Sequence, residues 1–286
     1  MWLGQIRTYG QLIKFSHTIF ALPFALAAVL LAHLQHPVAL STLAWVLLAM
    51  GGARSAAMGF NRYADARFDL LNPRTSNRPL TAGAIGERAV MILIAVSSLV
   101  FVFAAAMLGQ LCLLLAPLVL LVLFLYSYTK RFTPFSHLYL GLAIGLAPVG
   151  AWIAVTGQLD ARILLLSLAL LFYIGGFDIL YACQDIEFDR SVGLHSIPAR
   201  WGAKRAMQVA AALHVLTFVC LLGVYLVFDL GLVFLGMLLI IAGLLVLEHR
   251  LVHPEDLTHI DLAFFHVNSA ISVLLLLAVF LDTWKF

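Results

Sequence analysis

The sequence predicts an all-α, polytopic membrane helix bundle of about nine transmembrane helices. It reads as a single membrane-embedded domain over residues 1–286, built from two repeat-like halves at about 38–108 and 162–228. Three observations predict this. Residues of the AVILMFWYC set make up 63% of the 286 positions and DEKR only 11%, against roughly 45–50% and about 25% in an ordinary soluble domain. A soluble chain of this size cannot hide so much apolar surface, and 17 basic and 14 acidic side chains cannot cover its outside. Stretches such as Leu111–Leu125 are apolar on every face, whereas a membrane barrel would alternate apolar and polar residues. Finally, nine segments approach the length of about 20 apolar residues that a span requires.

In chain order these segments lie at about 16–34, 38–60, 88–108, 111–128, 137–156, 162–182, 206–228, 230–247 and 262–282. The first apolar run leads straight into further spans, so no cleaved signal is expected. The cationic residues alternate with the spans. Arg7 and Lys14 precede span 1, and Arg62, Arg67, Arg74, Arg78 and Arg88 follow span 2. Lys130 and Arg131 follow span 4, Arg190, Arg200, Lys204 and Arg205 follow span 6, and Arg250 follows span 8. The loops after spans 1, 3 and 7 carry none, and the loop after span 5 only Arg162. The positive-inside rule makes the basic side cytoplasmic, which in a bacterium is the inner face of the inner membrane. The three cysteines, Cys112, Cys183 and Cys220, all fall in apolar stretches and suggest no disulfide framework. A net charge of +3 calls for no nucleic-acid partner; the partners expected are the lipid bilayer and small substrates, and the oligomeric state stays open.

The acidic residues carry the chemistry. Span 2 ends in Asn61-Arg-Tyr-Ala-Asp65-Ala-Arg-Phe-Asp69, and span 6 in Asp178-Ile-Leu-Tyr-Ala-Cys-Gln-Asp185-Ile-Glu187-Phe-Asp189. Asp65 to Asp185 and Asp69 to Asp189 are the same 120 residues apart. Each half continues with a proline (Pro79, Pro198), a glycine (Gly83, Gly202) and an Arg-Ala that opens the next span (Arg88-Ala89, Arg205-Ala206). This reads as an internal duplication.

Helical residues four apart share a face. Asn61, Asp65 and Asp69 therefore form one polar stripe, and Asp178, Asp185 and Asp189, spaced seven and four, another. Bare carboxylates so close repel one another at a membrane boundary unless a cation lies among them. An oxygen-only donor set suits a hard cation, Mg²⁺ first. That ion takes one or two carboxylates and completes its shell with water and substrate phosphates, so two such stripes could grip a diphosphate between them. The plainer alternative is a pair of solvated helix ends whose Asp residues pair with nearby Arg.

The Asn61-x3-Asp65-x3-Asp69 element, Asn77-Arg78-Pro79-Leu80, Tyr126-x3-Lys130-Arg131 and Asp185-x3-Asp189 together resemble the UbiA family of intramembrane aromatic prenyltransferases, in order and over nearly the whole chain. The resemblance implies a nine-helix bundle, a Mg²⁺-dependent site on the cytoplasmic side and a polyprenyl diphosphate donor. It also implies that Asn61, Asp65, Asp69, Asp185 and Asp189 are metal and diphosphate residues. Two departures stand out. Arg62 stands where many members have Asp, and His195-Ser196-Ile197 where many have Lys-Ser-Thr; the first position lies off the metal stripe.

The chemistry matches these residues. An allylic diphosphate ionises when metal and cationic side chains neutralise the leaving group, and the cation is attacked by an electron-rich ring. Arg74, Arg78 and Lys130 are candidates for diphosphate oxygens, with positive-inside anchoring as the alternative. Tyr126 either donates to the diphosphate or belongs to an interfacial aromatic belt. Arg54 is an ionisable residue inside span 2, seven residues before Asn61, and is read as pairing with Asp178, contacting a substrate anion or making a structural ion pair. Arg131 is the candidate for the acceptor's carboxylate, because a planar guanidinium binds a carboxylate at two points; the resemblance points the same way, and Arg54 is the rival. His17, Phe20 and Pro23 either line an acceptor pocket or mark a kinked, packed helix. His249-x3-His253, with His259 and His266 beyond, has zinc-like spacing but no clear fourth ligand.

The Tyr-Ala-Cys-Gln-Asp-x-Glu-Phe-Asp and Lys-Phe-Ser-His-Thr segments resemble the branch that prenylates 4-hydroxybenzoate with a polyprenyl chain. A similar branch acts on a dihydroxynaphthoate for menaquinone. Both acceptors are aromatic acids, and neither the ring nor the donor's chain length can be read from the residues. A CDP-alcohol phosphotransferase would need an Asp-Gly-x2-Ala-Arg signature, which the chain lacks. A secondary transporter would carry inverted repeats and acids at the membrane's middle, where this chain has halves of the same topology and acids at the boundary.

Overall fold

The computed structural model describes residues 2–258, 260 and 262–283, with side chains from Arg7 onward. Among the described residues it is helical, with nine helices long and apolar enough to cross a membrane. The elements are α1 (Trp2–Leu12), a 3₁₀ turn (Phe15–Phe20), α2 (Leu22–His33), α3 (Leu40–Leu71), α4 (Glu87–Leu108), α5 (Gln110–Thr129), α6 (Ser136–Thr156) and α7 (Ile163–Ala182). After a 3₁₀ turn (Cys183–Asp185) come α8 (Ile186–Val192), α9 (Ile197–Val227), α10 (Leu232–Leu251), a π-helical segment (Leu262–Val267) and α11 (Asn268–Thr283). Eight spans begin within two residues of their expected starts. Three differ in extent. Span 2 runs eleven residues past its expected end, to Leu71, as one 32-residue helix. Span 6 extends through α8 to Val192, and span 7 starts nine residues early, at Ile197, because α9 continues across a kink at Gly202.

The chain divides into two compact units, Met1–Thr18 with Leu40–Thr129, and Ile19–Ala39 with Lys130–Phe286. In the first unit α3 packs on α4 and α5. Small residues allow the approach: a Cβ on Gly52 would lie 2.9 Å from the backbone nitrogen of Phe101. Helix α1 has no counterpart in the sequence-level expectation, since an eleven-residue segment interrupted by two glycines carries little helical signal. It is held by burial of Leu12 against Ile85 and Val90.

In the second unit α7 is the most buried span. It packs on α6 and α9, while α2 packs on α6 and α11. Phe20 is buried against Phe177, Phe264 and Phe265, and Pro23 opens the first turn of α2, where its missing N–H costs nothing. Polar side chains tie the helices together inside this unit. The Tyr173 hydroxyl donates to the Asn268 carbonyl at 2.8 Å, and the Asn268 amide donates to Glu248 Oε1 at 2.8 Å. His249 shares a 2.9 Å hydrogen bond with His214. The zinc-like histidine spacing thus resolves into a helix-to-helix contact; His259 lies outside the described residues, and among these no three His, Cys, Asp or Glu gather as metal ligands.

Two local features bear on the sequence reading. Gly83 and Gly202, the matching glycines of the two halves, both hold the left-handed backbone, at φ +73° and +78°. Gly202 combines this φ with a ψ of 163°, a region essentially confined to glycine, and a side chain at either position would cost about 1–3 kcal/mol. Arg162, in the loop after span 5, donates from Nη2 to Asp160 Oδ2 at 2.6 Å. Hydrogen bonds from Arg162 hold the Asp160 carboxyl below its usual range.

Candidate active site

The first acidic stripe lies on one continuous helix, as its four-residue spacing demands. The Asn61 amide donates to Asp65 Oδ2 at 2.8 Å and reaches Ser127 Oγ on α5 at 3.4 Å. One turn on, Asp69 is 8% exposed and takes Arg78 Nη1 on both oxygens, at 2.6 and 2.5 Å. The loop carrying Arg78 is itself built on the end of α3: Thr75 Oγ1 donates to the Asp69 carbonyl at 3.1 Å, and Asn72 Oδ1 accepts from the Arg74 amide at 2.9 Å. Arg74 is exposed and Arg78 half-buried.

Arg62 corrects the sequence reading. Far from lying off the stripe, it is 5% exposed and turns back toward it, with Nη1 at 3.4 Å from Asn61 Oδ1 and 3.9 Å from Asp69 Oδ2. The signal was available, because Arg62 and Asp69 are seven apart and so share a helix face. Its Nε donates to the Leu12 carbonyl at 3.3 Å. Arg54 likewise donates to the Lys14 carbonyl at 2.9 Å. The Leu12 carbonyl at the end of α1, and the Lys14 carbonyl just past it, which also accepts from the His17 amide at 3.0 Å, thus each meet a cation of α3. Asp178, the partner considered for Arg54, is instead joined to the fully buried His137 at 2.6 Å. Each is engaged within its own unit.

The second stripe is not one straight helix. Helix α7 stops at Ala182, and a 3₁₀ turn over Cys183–Asp185 re-aims the chain before α8. This turn separates Asp178 from the Asp185–Asp189 pair, which spacing alone had placed on one face. Asp185 and Asp189 are buried, at 6% and 2% exposure, while Glu187 between them faces out. Lys130 Nζ lies 3.6 Å from Asp189 Oδ2, an oxygen that is buried and accepts no hydrogen bond. The departure at His195 is also explained in part. The His195 amide donates to the Lys130 carbonyl at 2.7 Å, which fastens the α8–α9 connection beside Lys130, and Ser196 caps α9 by accepting from the Ala199 amide at 3.2 Å. Tyr126 is half-buried and Arg131 exposed.

Each set, taken within its own unit, has donors of the kind a hard divalent cation prefers. The donors are oxygens only, Asn61, Asp65 and Asp69 on α3 and Asp185 and Asp189 after α7. The unsatisfied buried oxygen of Asp189 has lone pairs to give. Cations line both sets, Arg62 and Arg78 in one unit and Lys130 in the other, as an anionic substrate would require.

Comparison with known proteins agrees. The profile of the UbiA prenyltransferase family matches residues 21–270. The 4-hydroxybenzoate octaprenyltransferase of Nitrosomonas eutropha is 30% identical over 232 residues, covering 80% of each chain. That of Aromatoleum aromaticum is 32% identical over 241 residues, covering 83% of this chain and 81% of its own. Among solved structures, the apo UbiA homolog from Aeropyrum pernix K1 superposes with a TM-score of 0.85 at 33% identity, over 94% of this chain and 98% of that one. A UbiA homolog from Archaeoglobus fulgidus, solved with GPP and Mg²⁺, shares the fold at a TM-score of 0.67 and 19% identity, over 95% and 99%.

Proposed function

We infer the reaction from one premise: the chain belongs to the UbiA prenyltransferase family and is an integral-membrane prenyltransferase. That membership sets aside the transporter reading. We propose that it transfers a polyprenyl group from polyprenyl diphosphate to a ring carbon of a hydroxylated aromatic carboxylate, 4-hydroxybenzoate or a close analogue, in quinone biosynthesis. The observation that carries the acceptor is the name shared by relatives that align over about four-fifths of the chain. The setting proposed is a bacterial inner membrane, with the basic loops and the site on the cytoplasmic side.

Asn61, Asp65 and Asp69 on α3, with Asp185 and Asp189 after α7, are the residues that would hold Mg²⁺. When bound, Mg²⁺ supplies charge neutralisation of the leaving diphosphate, which lowers the barrier to ionisation at the allylic carbon. Arg74, Arg78 and Lys130 add cationic donors for the diphosphate oxygens, and the Tyr126 hydroxyl adds a neutral one. Arg131 holds the acceptor carboxylate and so fixes the distance between the ring and the allylic carbon. The apolar spans shelter the isoprenoid chain and keep out the water that would quench a carbocation.

The test is direct. Purified protein in detergent, given Mg²⁺ and one polyprenyl diphosphate, should release pyrophosphate and form prenylated product with 4-hydroxybenzoate. The same assay with 1,4-dihydroxy-2-naphthoate separates the two acceptors. Faster turnover of the naphthoate would move the assignment to the menaquinone route, and no pyrophosphate release with either would overturn the proposal.

A further inference from the structure

We propose that the outer face of α9 near its start is a binding site for an anionic phospholipid of the surrounding bilayer. A groove of about 420 Å³ lies there, lined by Trp201, Arg205, Gln208, Val209 and Ala212. Trp201 stands before the kink at Gly202, and Phe135 meets its ring edge-on at 6.0 Å. An indole fixed at the end of a span is the residue type that settles at headgroup level.

Charge selects the lipid class. Arg200, Lys204 and Arg205 are all exposed, and among the described residues none of their side chains forms a hydrogen bond or ion pair. Helix α9 contains no acidic residue at all. The matching region of the first half is different: Arg78 is held by Asp69, and Arg88 follows Glu87 directly. Three unpaired cations beside an interfacial groove complement a phosphate whose headgroup carries no cation of its own.

The helix below supplies the rest of the site. From Arg205 the exposed positions Gln208, Ala212, Leu216 and Val219 follow at helical spacing, with half-buried Val209 between them. Arg205 to Leu216 covers roughly 16 Å of helix, about the depth of one leaflet's hydrocarbon. A phosphate on Arg205 would therefore leave an acyl chain lying along this lane. None of these residues belongs to the acidic stripes or to the cations assigned to diphosphate.

Native mass spectrometry of the full chain, in detergent micelles doped with dioleoyl phosphatidylglycerol or dioleoyl phosphatidylcholine, tests this without any substrate. The wild type should retain phosphatidylglycerol in preference, and Lys204→Gln with Arg205→Gln should weaken that preference about fivefold for each charge removed. Prenyl transfer at saturating substrate should be unchanged in that double variant. If the variant proves unstable, raising the salt concentration with wild-type protein reads the same term, since screening should erode the preference. Excess inorganic phosphate should not displace the lipid, because the chain binds as well as the head. Equal retention of both lipids by the wild type, an undiminished preference in the double variant or at high salt, or displacement by phosphate alone would each overturn the site.

Discussion

A single nitrogen of Arg78 lies against both carboxylate oxygens of Asp69, at 2.6 and 2.5 Å. The pair joins the end of α3 to the loop that follows it, and both members are only partly exposed, at 21% and 11% for the side chains. Asp69 is thus held in place by a residue that itself has donors to offer a diphosphate. Arg78→Lys keeps the charge but loses the planar fork. The donor's apparent KM should rise about tenfold, with the acceptor's KM nearly unchanged. An unaltered donor KM would make Arg78 a positioning residue for Asp69 alone.

Removing the carboxylates one at a time should be far more severe. Asp65→Ala, Asp69→Ala, Asp185→Ala and Asp189→Ala are each expected to abolish transfer while the protein still elutes as a folded species in detergent. Near-normal turnover in any two of them, at saturating Mg²⁺, would refute the two-stripe arrangement.

Arg131 is exposed and directly follows Lys130, which lies beside Asp189. Arg131→Lys should raise the acceptor's apparent KM roughly ten- to a hundredfold, the worth of a charge-assisted contact of about 1.5–3 kcal/mol, and leave the donor's almost constant. The opposite split would assign Arg131 to the diphosphate.

Arg54 answers to a different measurement. Its guanidinium is committed to the Lys14 carbonyl, so Arg54→Gln should loosen α1 and speed limited proteolysis near the N-terminus, with little change in the acceptor's KM. A large rise in that KM with unchanged proteolysis would restore Arg54 as the carboxylate's cation.

Gly83 and Gly202 both hold a positive φ, at +73° and +78°. Alanine at either position should destabilise by about 1–3 kcal/mol, and at Gly202, whose ψ is 163°, asparagine should give no relief. Equal stability of the glycine and alanine forms at both positions would refute this requirement for glycine.

The sequence by itself determined the class of fold, the nine spans and the side on which positive charge collects, because these follow from composition and from the width of a bilayer. It also determined the first stripe. Asn61, Asp65 and Asp69 sit on unbroken helix, where a spacing of four translates directly into one face. Tertiary structure decided the rest. The 3₁₀ turn at Cys183–Asp185 broke the second stripe, detaching Asp178 and leaving it to His137 on a neighbouring helix. Helix α1 came into being through Leu12 burying itself against Ile85 and Val90, residues more than seventy positions away. The carbonyls of Leu12 at its end and of Lys14 just beyond then claimed Arg62 and Arg54 from α3. Periodicity reports which face of a helix a residue occupies; which partner meets that face depends on packing between segments distant in the chain, and no local spacing encodes it.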